Sequence, residues 1–311
     1  MSYTYFPNTL KNYLKNGLTR EQVVNRLTTS DYDETRGCDS TTLSRWVSGK
    51  TKPSLYKQLL VCLALDIDIL SFIQGVDTNA HKDSMKSKVA FDKYLNFLNN
   101  SNNVISYYTK TNNINTYYGL LNQDEHRKLL DTYYHNFSGY IKIRERLDSE
   151  QVEHDCHTFL FKDGDQLCGH ISFTEENKDY LDSLEVMDPS LQNSIGVTPV
   201  YYSDETTFWL VISSFYWHVL RNRTLPKTRY ATICLRNRSA LEFYRETANA
   251  EPLTYIQPDD HALLADRGLF YVKIDMLKFL SKPIVVQHVQ DFINTHPEDS
   301  IRSLKEHVDY D

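Results

Sequence analysis

No apolar run in this chain reaches the roughly 18 residues that a membrane-spanning helix needs. The longest apolar patches, near Leu59–Leu65 and Trp209–Phe215, suit buried helices instead. The first twelve residues lack the basic-then-apolar order of a signal peptide. Cysteine is scarce: Cys38, Cys62, Cys156, Cys168 and Cys234 are odd in number, and no two form a Cys-x-x-Cys pair. That argues against a disulfide framework and for a reducing, cytoplasmic setting. Internal repeats are absent too. What the chain does have is length and apolar content. With 311 residues, 41% hydrophobic and 13% aromatic, it can build two packed units, and wholesale disorder is excluded.

The net charge of −7 disguises an uneven distribution. Residues 1–60 hold nine Lys/Arg and five Asp/Glu, and from Ser40 to Tyr56 there are three basic residues and no acid. A basic head on an acidic body can attract phosphate without coating the whole surface in nucleic acid.

Periodicity and caps place a helix at Asn8–Asn16, stopped by Gly17, and a second after Thr19, where Gln22 completes a capping-box spacing. Residues 28–39 form a polar loop. Asp39 or Ser40 caps the next helix, Thr41–Ser48, which ends at Gly49, and Pro53-Ser54 opens another with Leu55, Leu59, Cys62 and Leu63 on its apolar face. Residues 77–121 read as a linker or helical connector, with helices expected at 88–98 and near 122–135. Strands follow at 157–161 and 167–173 around an Asp163-Gly164 turn, then a strand at 197–202 and a long buried helix at 206–220. A strand at 228–235, a helix at 239–248 and strands at 253–256 and 269–276 complete the unit. The expected class is α+β in two domains: an all-α bundle at 1–76, then an α/β layer with a mixed sheet at 122–280. Helices at 284–296 and 299–308 make a tail over 281–311.

The stretch Leu18-Thr19-Arg20-Glu21-Gln22 … Ser40-Thr41-Thr42-Leu43-Ser44-Arg45-Trp46-Val47-Ser48-Gly49-Lys50-Thr51-Lys52-Pro53 resembles the lambda-repressor-like (XRE or Cro type) helix-turn-helix family over about 60 residues. The resemblance implies double-stranded DNA as partner, bound by a homodimer, and a role in transcription regulation. It assigns base reading to Ser40, Thr41, Thr42, Ser44 and Arg45, and phosphate contact to Arg20, Lys50 and Lys52. The physical logic agrees: Leu43, Trp46 and Val47 supply a face to bury, and short polar or forked side chains occupy the other. The departure is the spacing. Twelve residues separate the two central helices, and among them Asp31, Asp33 and Glu34 would repel phosphate.

The later unit, with Asn237-Arg238-Ser239-Ala240-Leu241-Glu242-Phe243-Tyr244 after a strand, is similar to the GNAT N-acetyltransferase fold. Asn237 and Tyr244 then line the implied ligand pocket. The glycine-rich turn by which that family holds pyrophosphate is replaced by Tyr202-Ser203-Asp204-Glu205-Thr206-Thr207. The expectation is therefore a domain without catalytic residues or cofactor, used to sense a small-molecule or protein effector or to dimerise. A DNA-targeted acetyltransferase and an antitoxin-like protein-interaction module are the alternatives. Finally, a two-residue Asp163-Gly164 turn would set His157 opposite His170 and put His157, Cys168 and His170 on one sheet face, within reach of a metal. No fourth ligand is evident, so no metal is assigned. His126, His135, His218 and His261 are left without a role.

Overall fold

The computed structural model describes residues 5–15, 17–103, 113–258 and 268–305. Six helices form the head: α1 (Tyr5–Lys15), α2 (Arg20–Thr28), α3 (Asp33–Arg36), α4 (Ser40–Val47), α5 (Leu55–Ala64) and α6 (Ile69–Gly75). Local chemistry sets their ends. Thr19 and Gln22 close the expected capping box on α2, Asp39 caps α4 through Thr42 N, and Ser54 caps α5 through Lys57 N. Gly17 and Gly49 take positive φ, +96° and +71°, where a side chain would be strained.

The body begins with α7 (Met85–Asn103), followed by β1 (Asn115–Leu121), α8 (Gln123–Tyr134) and α9 (Ser138–Ser149). The hairpin β2 (Cys156–Asp163) and β3 (Gln166–Thr174) leads to α10 (Lys178–Ser183), β4 (Ile195–Val197) and β5 (Tyr201–Tyr202). Then come α11 (Glu205–Arg221), β6 (Tyr230–Leu235), α12 (Arg238–Ala248), β7 (Glu251–Ile256) and β8 (Leu269–Asp275). The chain closes with α13 (Met276–Leu280), α14 (Pro283–Thr295) and β9 (Arg302–Ser303). The strands make one mixed sheet in the order β7-β8-β6-β4-β3-β2-β1-β9, with β5 paired to β3. The β4/β6 and β1/β9 pairs are parallel and the others antiparallel.

Several expectations are corrected here. β1 and α9 lie at 115–121 and 138–149, where the sequence patterns place no element. The expected helix at 299–308 is replaced over 298–303 by a 3₁₀ turn and the edge strand β9, which pairs with β1; residues 306–308 lie outside the described set. Nor is α7 a linker. It buries Phe91, Tyr94, Leu95 and Leu98, and its Tyr94 stacks on Phe243 of α12 at 4.4 Å. The apolar core also runs past the expected boundary at residue 76. Head residues such as Leu59 and Phe72 belong to the same cluster as Phe208, Val219, Val285 and Phe292 of the body. No helix among the described residues is long and apolar enough to cross a membrane.

Candidate nucleic-acid interface

Helix α4 is amphipathic for a local reason: Leu43, Trp46 and Val47 fall on one side at i, i+3, i+4 spacing and are buried. Trp46 sits edge-on to Phe6 of α1, with ring centres 6.2 Å apart, and Lys57 of α5 lies 5.5 Å from the Trp46 ring. Burying one face leaves the other to solvent. Ser40, Thr41 and Arg45 are exposed there, and Thr42 and Ser44 are half-buried at its margins. Past the helix, Lys50 and Lys52 are exposed, as is Arg20 at the start of α2. Lys52 is partly engaged within the protein, donating to the Ala80 carbonyl at 3.1 Å, and desolvation lowers its pKa. The cap residue Asp39 is exposed at the N-terminal end of α4, next to Ser40. Its hydrogen bonds from Thr42 hold its carboxyl below the usual range, so it remains a fixed negative charge beside this surface.

The long spacing between α2 and α4 is not loose chain. Its centre folds into α3, pinned by the buried Thr35, whose hydroxyl donates to the Leu27 carbonyl at 2.9 Å. Of its acids, Asp33 pairs with Arg36 at 2.7 Å. Glu34 turns to the body, accepting from Tyr56 Oη at 3.1 Å and lying 3.5 Å from Arg229 Nη2. Arg229 in turn holds the buried Asp275 at 2.9 Å. Tyr32 packs against the core, and Arg36 is held by Asp33 and the Ser30 carbonyl.

The pocket pair implied by the second resemblance is occupied by structural work. Asn237 caps α12 with its side-chain oxygen, which accepts from Ala240 N at 2.8 Å. Tyr244 is buried among Phe243 and Phe279, with ring centres 5.0 and 5.5 Å away. At the turn before α11, Asp204 caps the helix through Thr207 N at 2.9 Å, and Glu205 accepts from Asn99 of α7 at 2.8 Å.

The metal triad His157, Cys168 and His170 does not form. The turn is built on Gly164 and Asp165, since Asp163 pairs with Gln166, and a bulge follows between Phe161 and Lys162. Together these shift the register by an odd number, setting His157 opposite Phe173 and His170 opposite Leu160. Side chains alternate along a strand, so an odd shift sends the two histidines to opposite faces. His170 lies in an aromatic box of Tyr133, Tyr134 and Tyr201. His157 meets a different group: Tyr118, Glu175 and His218. Sequence reading missed this set because its members come from distant parts of the chain and share no spacing.

No protein-family model and no curated protein matches this chain. Among solved structures, it is similar to an uncharacterized protein from Bacillus halodurans (8% identity, TM-score 0.29, covering 43% of this chain and 66% of that one). It is also similar to FeeM, an N-acyl amino acid synthase from uncultured soil microbes (13% identity, TM-score 0.27, covering 56% of this chain and 98% of that one). FeeM is an enzyme, and this corrects the expectation that the α/β unit belongs to a non-enzyme. That expectation is dropped. Likeness at this level assigns no reaction or substrate to this chain.

Proposed function

We propose that the chain is a sequence-specific DNA-binding regulator, with α4 as its recognition helix. One observation carries the reading. The exposed face of α4 presents Ser40, Thr41 and Arg45, while its opposite face is locked into the head by Leu43, Trp46 and Val47. A rigid helix with short hydroxyls at its first turn and a forked guanidinium one turn on has the chemistry for base edges in a major groove. Arg20, Lys50 and Lys52 flank it and supply phosphate contacts that set register without reading sequence. With α3 folded and Glu34 neutralised by the body, the long spacing does not place that carboxylate against phosphate. One such helix reads only a half-site, so the protein is proposed to act as a two-fold pair, which raises affinity through effective concentration.

The test is selection of bound DNA from a random pool by the full-length protein. Enrichment of a palindrome with half-sites about one helical turn apart supports the reading. Recovery of no enriched sequence at low and moderate salt overturns it.

A further inference from the structure

Four side chains, three from separate elements and one from the residue after β3, converge where the sheet meets the C-terminal end of α11. His157 is the second residue of β2, Glu175 follows β3 directly, His218 lies in the last turn of α11 and Tyr118 lies in β1. The ligand atoms of His157, Glu175 and His218 all lie within 4.8 Å of one another. The two imidazole rings are 4.2 Å apart between centres. The Tyr118 hydroxyl bridges them, 2.9 Å from His157 Nδ1 and 3.2 Å from His218 Nδ1. One hydroxyl can donate to one ring and accept from the other, which fixes complementary tautomers.

The distance between His218 Nε2 and the nearer Glu175 oxygen is 3.6 Å. That is too long for a hydrogen bond. It is close to the roughly 3.3 Å that separates two ligands on a tetrahedral ion with bonds of about 2.0–2.1 Å. Thr224 Oγ1 orients the carboxylate by donating to Oε1 at 3.0 Å. Asn222 Nδ2 lies 3.0 Å from His218 Nε2 and 3.2 Å from Nδ1, so an ion would replace its contact with Nε2. Glu175 is exposed, which leaves a path for an ion from solvent.

We infer that His157, His218 and Glu175 form a binding site for a single divalent transition-metal ion of the zinc class, with Tyr118 orienting the imidazoles. Two nitrogens and one carboxylate suit zinc and its neighbours, whereas calcium and magnesium prefer all-oxygen sets. The ion would clamp the β1-β2-β3 edge to α11. The end of α11 in turn contacts the head, where Arg223 lies 3.8 Å from Asp68. This inference is independent of DNA binding.

The experiment is titration of the full-length, chelator-stripped protein with Zn²⁺ against a chromophoric indicator, with metal content measured after gel filtration. Co²⁺ serves as the spectroscopic probe. One ion per chain is expected, with visible Co²⁺ bands distinct from those of the aqueous ion. His157→Ala and Glu175→Gln should each weaken binding by at least about tenfold. His135→Ala, at an exposed histidine elsewhere, should leave it unchanged. Both ligand variants alter residues that are not fully buried, and circular dichroism checks that each folds. No stoichiometric binding, an aqueous-like Co²⁺ spectrum, or full affinity in both ligand variants would each overturn the site.

Discussion

Glu34, in the helical turn between α2 and α4, lies 3.5 Å from Arg229, which leads into the central strand β6. This acid thereby pairs within the protein, and it ties the head to the body. Arg229 also holds the buried Asp275, whose other oxygen caps α13 through Lys278 N at 3.0 Å.

Removing the cation should therefore cost more than removing Glu34. Arg229→Met leaves Asp275 buried without its partner and is expected to lower stability by about 2 kcal/mol. Glu34 is more exposed and its contact longer, so Glu34→Gln should cost less than about 1 kcal/mol. Urea unfolding of the two variants, compared at equal slope, measures the difference.

On the α4 surface, Arg45→Ala is expected to weaken binding to the selected DNA sequence by about 1–3 kcal/mol and to relax the preference at one position. Lys50→Ala should weaken binding to all sequences alike and reduce the slope of log affinity against log salt by about 1. Fluorescence anisotropy on selected and scrambled duplexes at several salt concentrations separates the two behaviours. If neither variant changes affinity, α4 is not the recognition helix.

Helix α7 is predicted to be part of the folded core. Tyr94 is buried, stacks on Phe243 and hydrogen-bonds Tyr202. Tyr94→Ala should cost about 3 kcal/mol or more through the cavity it leaves. Native α7 should resist limited proteolysis at concentrations that cleave it in the variant.

Two buried histidines make stability depend on pH. Burial pushes His126 and His170 down to about 3. His126 is lowered further by the charges of His170, His154, Arg144 and Arg127, and His170 by Arg236. The unfolded chain takes up these protons near pH 6.5 and the folded chain does not. Stability is therefore full above about 6.5 and falls as pH drops toward 3, by about 1.4 kcal/mol per pH unit for each histidine. Urea midpoints between pH 7.5 and 5 should fall accordingly, and His126→Gln should flatten the fall. An unchanged slope in that variant would remove His126 from the account.

The head was legible in the sequence because its signals are local. Thr19 with Gln22, Asp39 before Thr42, and the glycines at 17 and 49 act within one helical turn, where spacing alone decides geometry. The long helices and most strands of the body were legible for the same reason, through runs such as Thr206–Leu220. What sequence could not supply is whatever depends on register or on distant partners. A turn set one residue later than expected, together with a single bulge, moved His157 and His170 to opposite faces and separated the three side chains that the shorter register would have grouped. The same register delivered His157 to His218, a residue with no sequence signal of its own. Edge strand β9 pairs with the backbone of β1, a partner some 185 residues away in sequence. Short-range hydrogen bonds and periodicity determined the elements. Which side chains meet was decided only by tertiary packing, because contacts between residues tens to hundreds of positions apart form through the shared core and leave no trace in local spacing.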